Sequence, residues 1–320
     1  MLSRALGFGP LVDMAYGARG PDLIPGAVDG IAGVLEWLWD TVCDRVLDRL
    51  GFRYTPDDGE PWPRVYWCPT GWLSFLPLHA AGRRSGAGQS VLDRVVSSYT
   101  PTLRALLRAR AQLESYPEPA PPPDPLVVSL PRTPGGAVLA GAAAEADTLA
   151  RVFPGRTREL AGEAATVAAV RDALPAHSWV HFGCHGVTDP EHPSAAGLQL
   201  HDGRLRALDA AALPLREPVL AMLAACSTSR GGTAVPDEAI HVASSFQLAG
   251  YPHVIGTLWP VSDRFSARLT EQFYAALAAD IADGRAADPA VALHSAVRAL
   301  RADGLAAAPH LWAAHTHTGP

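Results

Sequence analysis

Two short stretches of the sequence combine residue types that can do chemistry. The first is Trp179-Val180-His181-Phe182-Gly183-Cys184-His185-Gly186, and the second is Val219-Leu220-Ala221-Met222-Leu223-Ala224-Ala225-Cys226-Ser227-Thr228. Each is an apolar run that delivers a titratable side chain where it stops. An imidazole beside a thiol is the minimal apparatus of cysteine nucleophilic catalysis. A thiol with a reference pKa of ~8.5 is only a few per cent thiolate at neutral pH, and a neighbouring imidazole can take its proton or stabilise the anion. The thiolate attacks a carbonyl carbon, the imidazole protonates the departing amine, and backbone N–H groups must meet the tetrahedral oxyanion. His185 and Cys226 are the candidate pair. Gly186 and Cys226 are the candidate oxyanion donors, because Gly186 has no side chain to keep its N–H from the substrate.

For these residues to meet, two strands must lie side by side. From Leu126 the chain alternates short apolar runs with segments of helical period. Strands are expected at Leu126 to Leu130, Ser178 to Phe182, Pro218 to Ala225 and His253 to Trp259. Helices are expected at Ala142 to Val152, Ala164 to Leu174, Glu238 to Ala249, Asp263 to Ile281 and Pro289 to Arg301. That alternation argues for an α/β fold with a mostly parallel sheet between helices, whose active groups collect at the carboxyl ends of the strands. The roughly 40 residues between His185 and Cys226 leave room for a crossover between adjacent parallel strands, which needs a dozen or more.

The N-terminal part reads differently. Residues 1–27 form an arm or linker, and apolar residues from Val28 to Leu50 recur at helical spacing. Arg64 to Trp67 reads as a strand, Thr70 to Leu78 as a second strand ending at Pro77, and Thr102 to Leu113 as a helix. Six prolines between Pro117 and Pro125 mark a stiff connector. The organisation expected is an arm at 1–27, an N-terminal half at 28–116, the connector at 117–125 and a catalytic half at 126–320.

Composition narrows the function classes. The 320 residues are 48% hydrophobic with a net charge of −6, and all the strong positive charge is arginine. Such a chain buries a core and offers no general basic field for nucleic acid. No apolar run has the ~18 residues of a membrane helix, and the N-terminus lacks a secretory pattern, so a cytoplasmic location is expected. Cys43, Cys68, Cys184 and Cys226 form no C-x-x-C pair and read as reduced thiols. No cofactor is called for. His181, Cys184 and His185 lack an evident fourth partner for a structural zinc site. Free cysteine is also at home as an inert buried residue, and Cys184 is the nearest decoy for Cys226.

The flanking residues resolve that ambiguity. His181-Phe182-Gly183-Cys184-His185-Gly186 and Ala225-Cys226-Ser227-Thr228 resemble the CHAT family of caspase-like cysteine peptidases related to separase. Leu198 to Gly203, Pro236 to Ile240, Ala249 to Asp263 and Pro309 to Ala314 resemble further family segments in the same order, the last its terminal strand. Upstream, Leu73 to Leu78 and Tyr99 to Leu103 resemble its N-terminal half.

The resemblance implies a caspase-like three-layer sandwich with six central strands from the catalytic half, against which the N-terminal half packs and to which it may add strands. It implies a cysteine endopeptidase acting on a protein or peptide substrate, with His185 as base and Cys226 as nucleophile. It also implies a sensor or regulatory partner, since family members often carry sensor modules, and a role in bacterial signalling or defence. An acidic residue after the strand next to the cysteine strand would bind a basic side chain before the scissile bond. Asp263 holds that place, with Asp237 and Glu238 as rivals. Asp263 equally suits a helix N-cap. Pro260 departs from the separase pattern and removes a backbone donor there. Two other readings stand beside the peptidase: a catalytically silent caspase-like scaffold, and a thiol acyltransferase using the same pair.

Overall fold

A computed structural model describes residues 7–8, 10–11, 25–57, 59–84, 88–117, 121–133, 138–187, 196–224 and 242–320. The elements, in chain order, begin with α1 (Pro25–Leu38), a π-helical turn (Trp39–Cys43) and α2 (Asp44–Leu50), which run on as one helical stretch ended by Gly51 at φ +86°. Then come β1 (Arg64–Trp67), β2 (Val96–Tyr99), α3 (Leu103–Glu114), β3 (Leu126–Ser129), α4 (Ala140–Val152), β4 (Arg158–Ala161) and α5 (Val167–Ala173). They are followed by β5 (Trp179–Gly183), β6 (His185–Val187), β7 (Gly197–Gln199), β8 (Arg204–Arg206), α6 (Ala207–Ala211) and β9 (Leu220–Leu223). The last are α7 (Val242–Ala249), β10 (His253–Thr257), α8 (Asp263–Ala282), α9 (Pro289–Leu300), α10 (Pro309–Trp312) and β11 (His315–Thr318).

Eight strands form one sheet in the order β1-β2-β11-β10-β9-β5-β3-β4. Six come from the chain after the proline-rich connector, as the resemblance implies, and β1 and β2 extend the sheet from the N-terminal half. Every pairing is parallel except β10 with β11. Strands β6, β7 and β8 make a separate antiparallel sheet.

Alternation along the central strands sends side chains into two cores, which is what a sheet covered on both faces requires. Val127, Trp179, Leu220, Met222 and Ile255 pack with residues of α1, α4, α8 and α9 on one face. Leu126, Val128, Val180, Phe182, Ala221, Leu223 and Val254 pack with residues of α5 and α7 on the other. The result is a three-layer α/β sandwich. No helix among the described residues is long and apolar enough to cross a membrane.

Several sequence expectations need correction. Thr70 to Leu78 is not a strand but two 3₁₀ turns, Gly71–Phe75 and Leu78–Ala80. Gly71 sits at φ +58°, and Ser74 Oγ donates to its carbonyl at 2.5 Å, closing the turn locally. The strand beside β1 is β2, whose Val-Ser-Ser-Tyr alternation is short. Pro309 to Ala314 is not the terminal strand: Pro309 opens the short helix α10, a position where its missing N–H costs nothing. The strand is β11, which lies between β10 and β2.

That placement creates a buried histidine seam where the two halves join. The Tyr99 hydroxyl accepts from the His79 N–H at 3.1 Å and lies 2.9 Å from its Nδ1, and His79 Nε2 is 3.1 Å from the Ala313 carbonyl. His317 stands between His253, at 2.9 Å, and Ser98, at 2.8 Å. Arg64 pairs with Asp288 at 2.8 Å, and Arg301 bonds Ser90 at 2.8 Å and pairs with Asp93. Burial, which disfavours the imidazolium, pushes His79 and His315 down to about 4 and His253 and His294 to about 3, and holds His317 well below its ordinary value. Arg64 adds to the effect at His253 and His317, as do Arg298 and Arg301 at His294, where Asp93 opposes it.

These groups are neutral in the fold and titrate near ~6.5 when unfolded. The unfolded chain therefore binds more protons below that pH, and the stability present above it is lost as pH falls toward the folded values. Each such histidine adds a slope of up to ~1.4 kcal/mol per pH unit, so a few suffice to unfold an ordinary domain. Chemical denaturation from pH 7.5 to 4.5 should show steep destabilisation below pH ~6.5. His315→Leu, which replaces a buried ring with no hydrogen-bond partner at either nitrogen among the described residues, should make that loss shallower.

Candidate active site

The candidate histidine and cysteine stretches run out of neighbouring strands. β5 pairs with β9 in parallel from Trp179↔Leu220 to Phe182↔Leu223, so both strands point their carboxyl ends at the same edge. Leu130 N–H closes the other side of β5 on the Gly183 carbonyl at 2.9 Å. His185 lies two residues beyond β5, in β6 opposite Gln199, and is half-buried. Gly186 follows it, opposite Leu198. Cys226, Asp237 and Glu238 lie outside the described residues. Cys184 is 1% exposed and belongs to the apolar cluster of Phe182 and Leu198, a poor setting for a nucleophile that must reach substrate.

A cleft with about 390 Å³ of empty space, part of it open to solvent, sits at this edge. Its lining includes Glu145, Gly183, Cys184, Ala224, Asp263 and Ser266. The structure thus brings Asp263 to the same cleft as the residues flanking His185 and Cys226. Asp263 is the first residue of α8, whose N-cap is Ser262. Its carboxylate does not cap its own helix; Oδ2 lies 3.5 Å from the N–H of Gly141 at the start of α4. A Cβ on Gly141 would stand 2.8 Å from the Asp263 carbonyl oxygen, so this approach of the two helices requires glycine.

Beneath the cleft lies a polar group that motif reading misses. Glu145 on α4 is 2% exposed, accepts from Ser266 Oγ at 2.6 Å, and lies 3.0 Å from His181 Nε2. His181 Nδ1 is 3.3 Å from the Tyr274 hydroxyl. Burial first, and then the Glu145 charge, drive the Tyr274 pKa up and keep its proton on. Tyr274 can therefore donate to Nδ1, which leaves the Nε2–H to donate to Glu145. Trp179, Phe153 and Tyr274 meet edge-on or tilted, with centroids 5.8 to 6.4 Å apart, and press α4 and α8 against β5. The signal for Glu145 was available: it shares the buried stripe of α4 with Ala142, Ala146 and Leu149, where an unpaired acid would be costly.

Known proteins fit this geometry. The profile of the CHAT domain matches residues 33–320. The chain belongs to the CHAT domain family. No curated protein matches the sequence significantly. Among solved structures, the Saccharomyces cerevisiae separase–securin complex aligns at 12% identity and a TM-score of 0.51, covering 77% of this CHAT chain and 14% of the other. The Arg-specific cysteine proteinase gingipain R aligns at 12% identity and 0.55, covering 99% and 75%. A complex of the pro- and mature domains of the Porphyromonas gingivalis enzyme gives 12% and 0.53, covering 99% and 76%. The CHAT chain therefore spans a small part of the separase chain and most of the gingipain chains. At this identity the likeness establishes a protease-like fold.

The buried network yields a stability prediction. His181→Ala strips one partner from a buried carboxylate and should cost ~3 kcal/mol, read as a lowered denaturation midpoint at pH 7.5. Glu145→Gln, which can keep bonds to both Ser266 and a re-tautomerised His181, should cost clearly less.

Proposed function

We propose that this CHAT protein is a cysteine endopeptidase in which His185 activates Cys226. The observation that carries the reading is the parallel register of β5 and β9, because it leaves each candidate group within three residues of adjoining strand ends. The thiolate attacks the substrate carbonyl carbon, and the N–H groups of Gly186 and Cys226 receive the developing oxyanion. The His185 imidazolium protonates the leaving amine, then the imidazole draws a proton from the water that hydrolyses the thioester. No metal or organic cofactor takes part.

The substrate is a protein or peptide cut after a basic residue, with Asp263 facing that side chain. Support comes from Asp263 bordering the cleft, and from the arginine specificity of gingipain R, which shares the fold. A carboxylate suits a guanidinium because two parallel charge-assisted bonds can form. Asp237 and Glu238 remain rivals for the role. A regulatory partner controls access, as in the family pattern of attached sensors. The protein acts in the cytoplasm.

An arginyl chloromethyl ketone should alkylate Cys226, detected by mass spectrometry, and His185→Ala should slow the reaction at least ~100-fold. In a fluorogenic peptide panel, basic residues before the scissile bond should turn over fastest, and Asp263→Asn should reduce that preference about tenfold through lost transition-state binding. Alkylation that ignores Cys226 refutes the dyad. Equal turnover with acidic residues refutes the pocket.

A further inference from the structure

The cleft lined by Gly183 and Cys184 carries two carboxylates and, among its described lining residues, no lysine or arginine. Asp263 is half-buried, while Glu145 is 2% exposed, so the two stand at different depths in the same opening. Each faces a glycine. Gly141 lies against Asp263, and a Cβ on Gly183 would sit 3.3 Å from Glu145 Oε2 and 3.1 Å from Ala142 Cβ. A side chain at Gly183 would thus cover the Glu145 carboxylate. An ionised carboxylate has about four lone-pair sites. Ser266 and His181 use one each, so Glu145 keeps acceptor capacity on the cleft side.

We infer that Glu145 is a second specificity-determining carboxylate, which receives the inner end of a long cationic side chain that enters past Asp263. The inference rests on the proposed preference for a basic residue and adds a residue to it that no motif marks. Two carboxylates with no lysine or arginine among the described lining residues favour a cation over an anion. A metal ion is disfavoured, because no group of three or more metal-ligating side chains occurs among the described residues. A guanidinium suits the site better than an ammonium. Its planar fork offers five donors spread over several ångströms, enough to address two carboxylates, whereas an ammonium is a compact point charge. The His181 and Tyr274 bonds fix the Glu145 rotamer beforehand, so little side-chain entropy is lost on binding.

The test separates this role from catalysis. Full-length protein carrying Cys226→Ala is titrated by calorimetry with Nα-acetyl-arginine methylamide, and with the citrulline analogue, whose neutral urea has nearly the same shape. The arginine compound should bind at least about tenfold tighter. Adding Glu145→Gln should weaken the arginine compound about tenfold and leave the citrulline compound within about twofold, with circular dichroism and the denaturation midpoint showing an intact fold. Asp263→Asn should weaken the arginine compound independently. Undiminished arginine binding by Glu145→Gln, an equal loss for both ligands, or no arginine binding by the parent would each overturn the assignment. The peptidase reading is judged apart from this, by alkylation of Cys226 in the wild-type chain.

Discussion

The parallel pairing of β5 with β9 is the constraint on which the cleft depends. Parallel strands end at a common edge, so two polar residues placed just beyond neighbouring strands are delivered together without either strand bending. β5 and β9 are apolar through their buried length. A one-residue slip in such a strand would exchange its two faces. It would carry Phe182 out of the core it shares with Phe246 and set His181 opposite the wrong helix layer. The register that fills the two cores is therefore also the register that sets the separation of the His185 and Cys226 stretches. Packing specifies this edge of the sheet before any interaction between the polar groups beyond it is considered.

His181 shows how a polar residue is tolerated in that strand. An unpaired imidazole or carboxylate at this depth would cost several kcal/mol. Glu145 and His181 bond each other, Ser266 and Tyr274 each add one further bond, and four groups from three elements are fixed at once. Such a network is a weak source of net stability compared with apolar packing of similar volume. Its effect is specification. α4 and α8 have one arrangement relative to β5 in which all four groups are satisfied, and that arrangement puts Gly141 against Asp263. The surface pair Arg151–Glu271 between the same helices is exposed and screened, and it contributes little by comparison.

The legibility of this protein in its sequence follows the range of the interactions involved. Strands β3, β5, β9 and β10 are continuous apolar runs, because sheets buried on both faces write themselves into composition. The helix Leu103–Glu114 announces itself through Thr102, which caps it by accepting the Ala105 N–H at 3.1 Å. Strands such as β4, β6 and β8 are three or four residues long with mixed polarity, and they exist only because a partner strand is present. β11 is harder still. His-Thr-His-Thr is polar enough to pass for an exposed tail, yet all four residues are buried, and tertiary partners override the pattern. His185 and Asp263 stand out in the sequence because they sit near element ends within recognisable strings, and Asp263 lines the cleft. Glu145 was not legible through any string, since its partners lie 36 and 121 positions away in the chain.

The terminal strand also links the two halves of the molecule. β11 is the one place where the sheet reverses direction, antiparallel to β10 and parallel to β2. It pairs with β2 in register through a single residue pair, Thr318↔Tyr99, so the backbone ladder alone does not weld the N-terminal strands to the rest of the sheet. The join is made by side chains instead: the contact of His79 with the Ala313 carbonyl, the His253–His317–Ser98 chain, and the two arginine contacts at Asp288 and Asp93. A junction of neutral, desolvated polar groups is sensitive to anything that charges or hydrates it. Its other end is close to the cleft, because β10 pairs with β9 and leads through Thr257 into the segment that opens α8 at Asp263. A change in how the N-terminal half seats on β11 would thus be transmitted along β10 to one wall of the cleft.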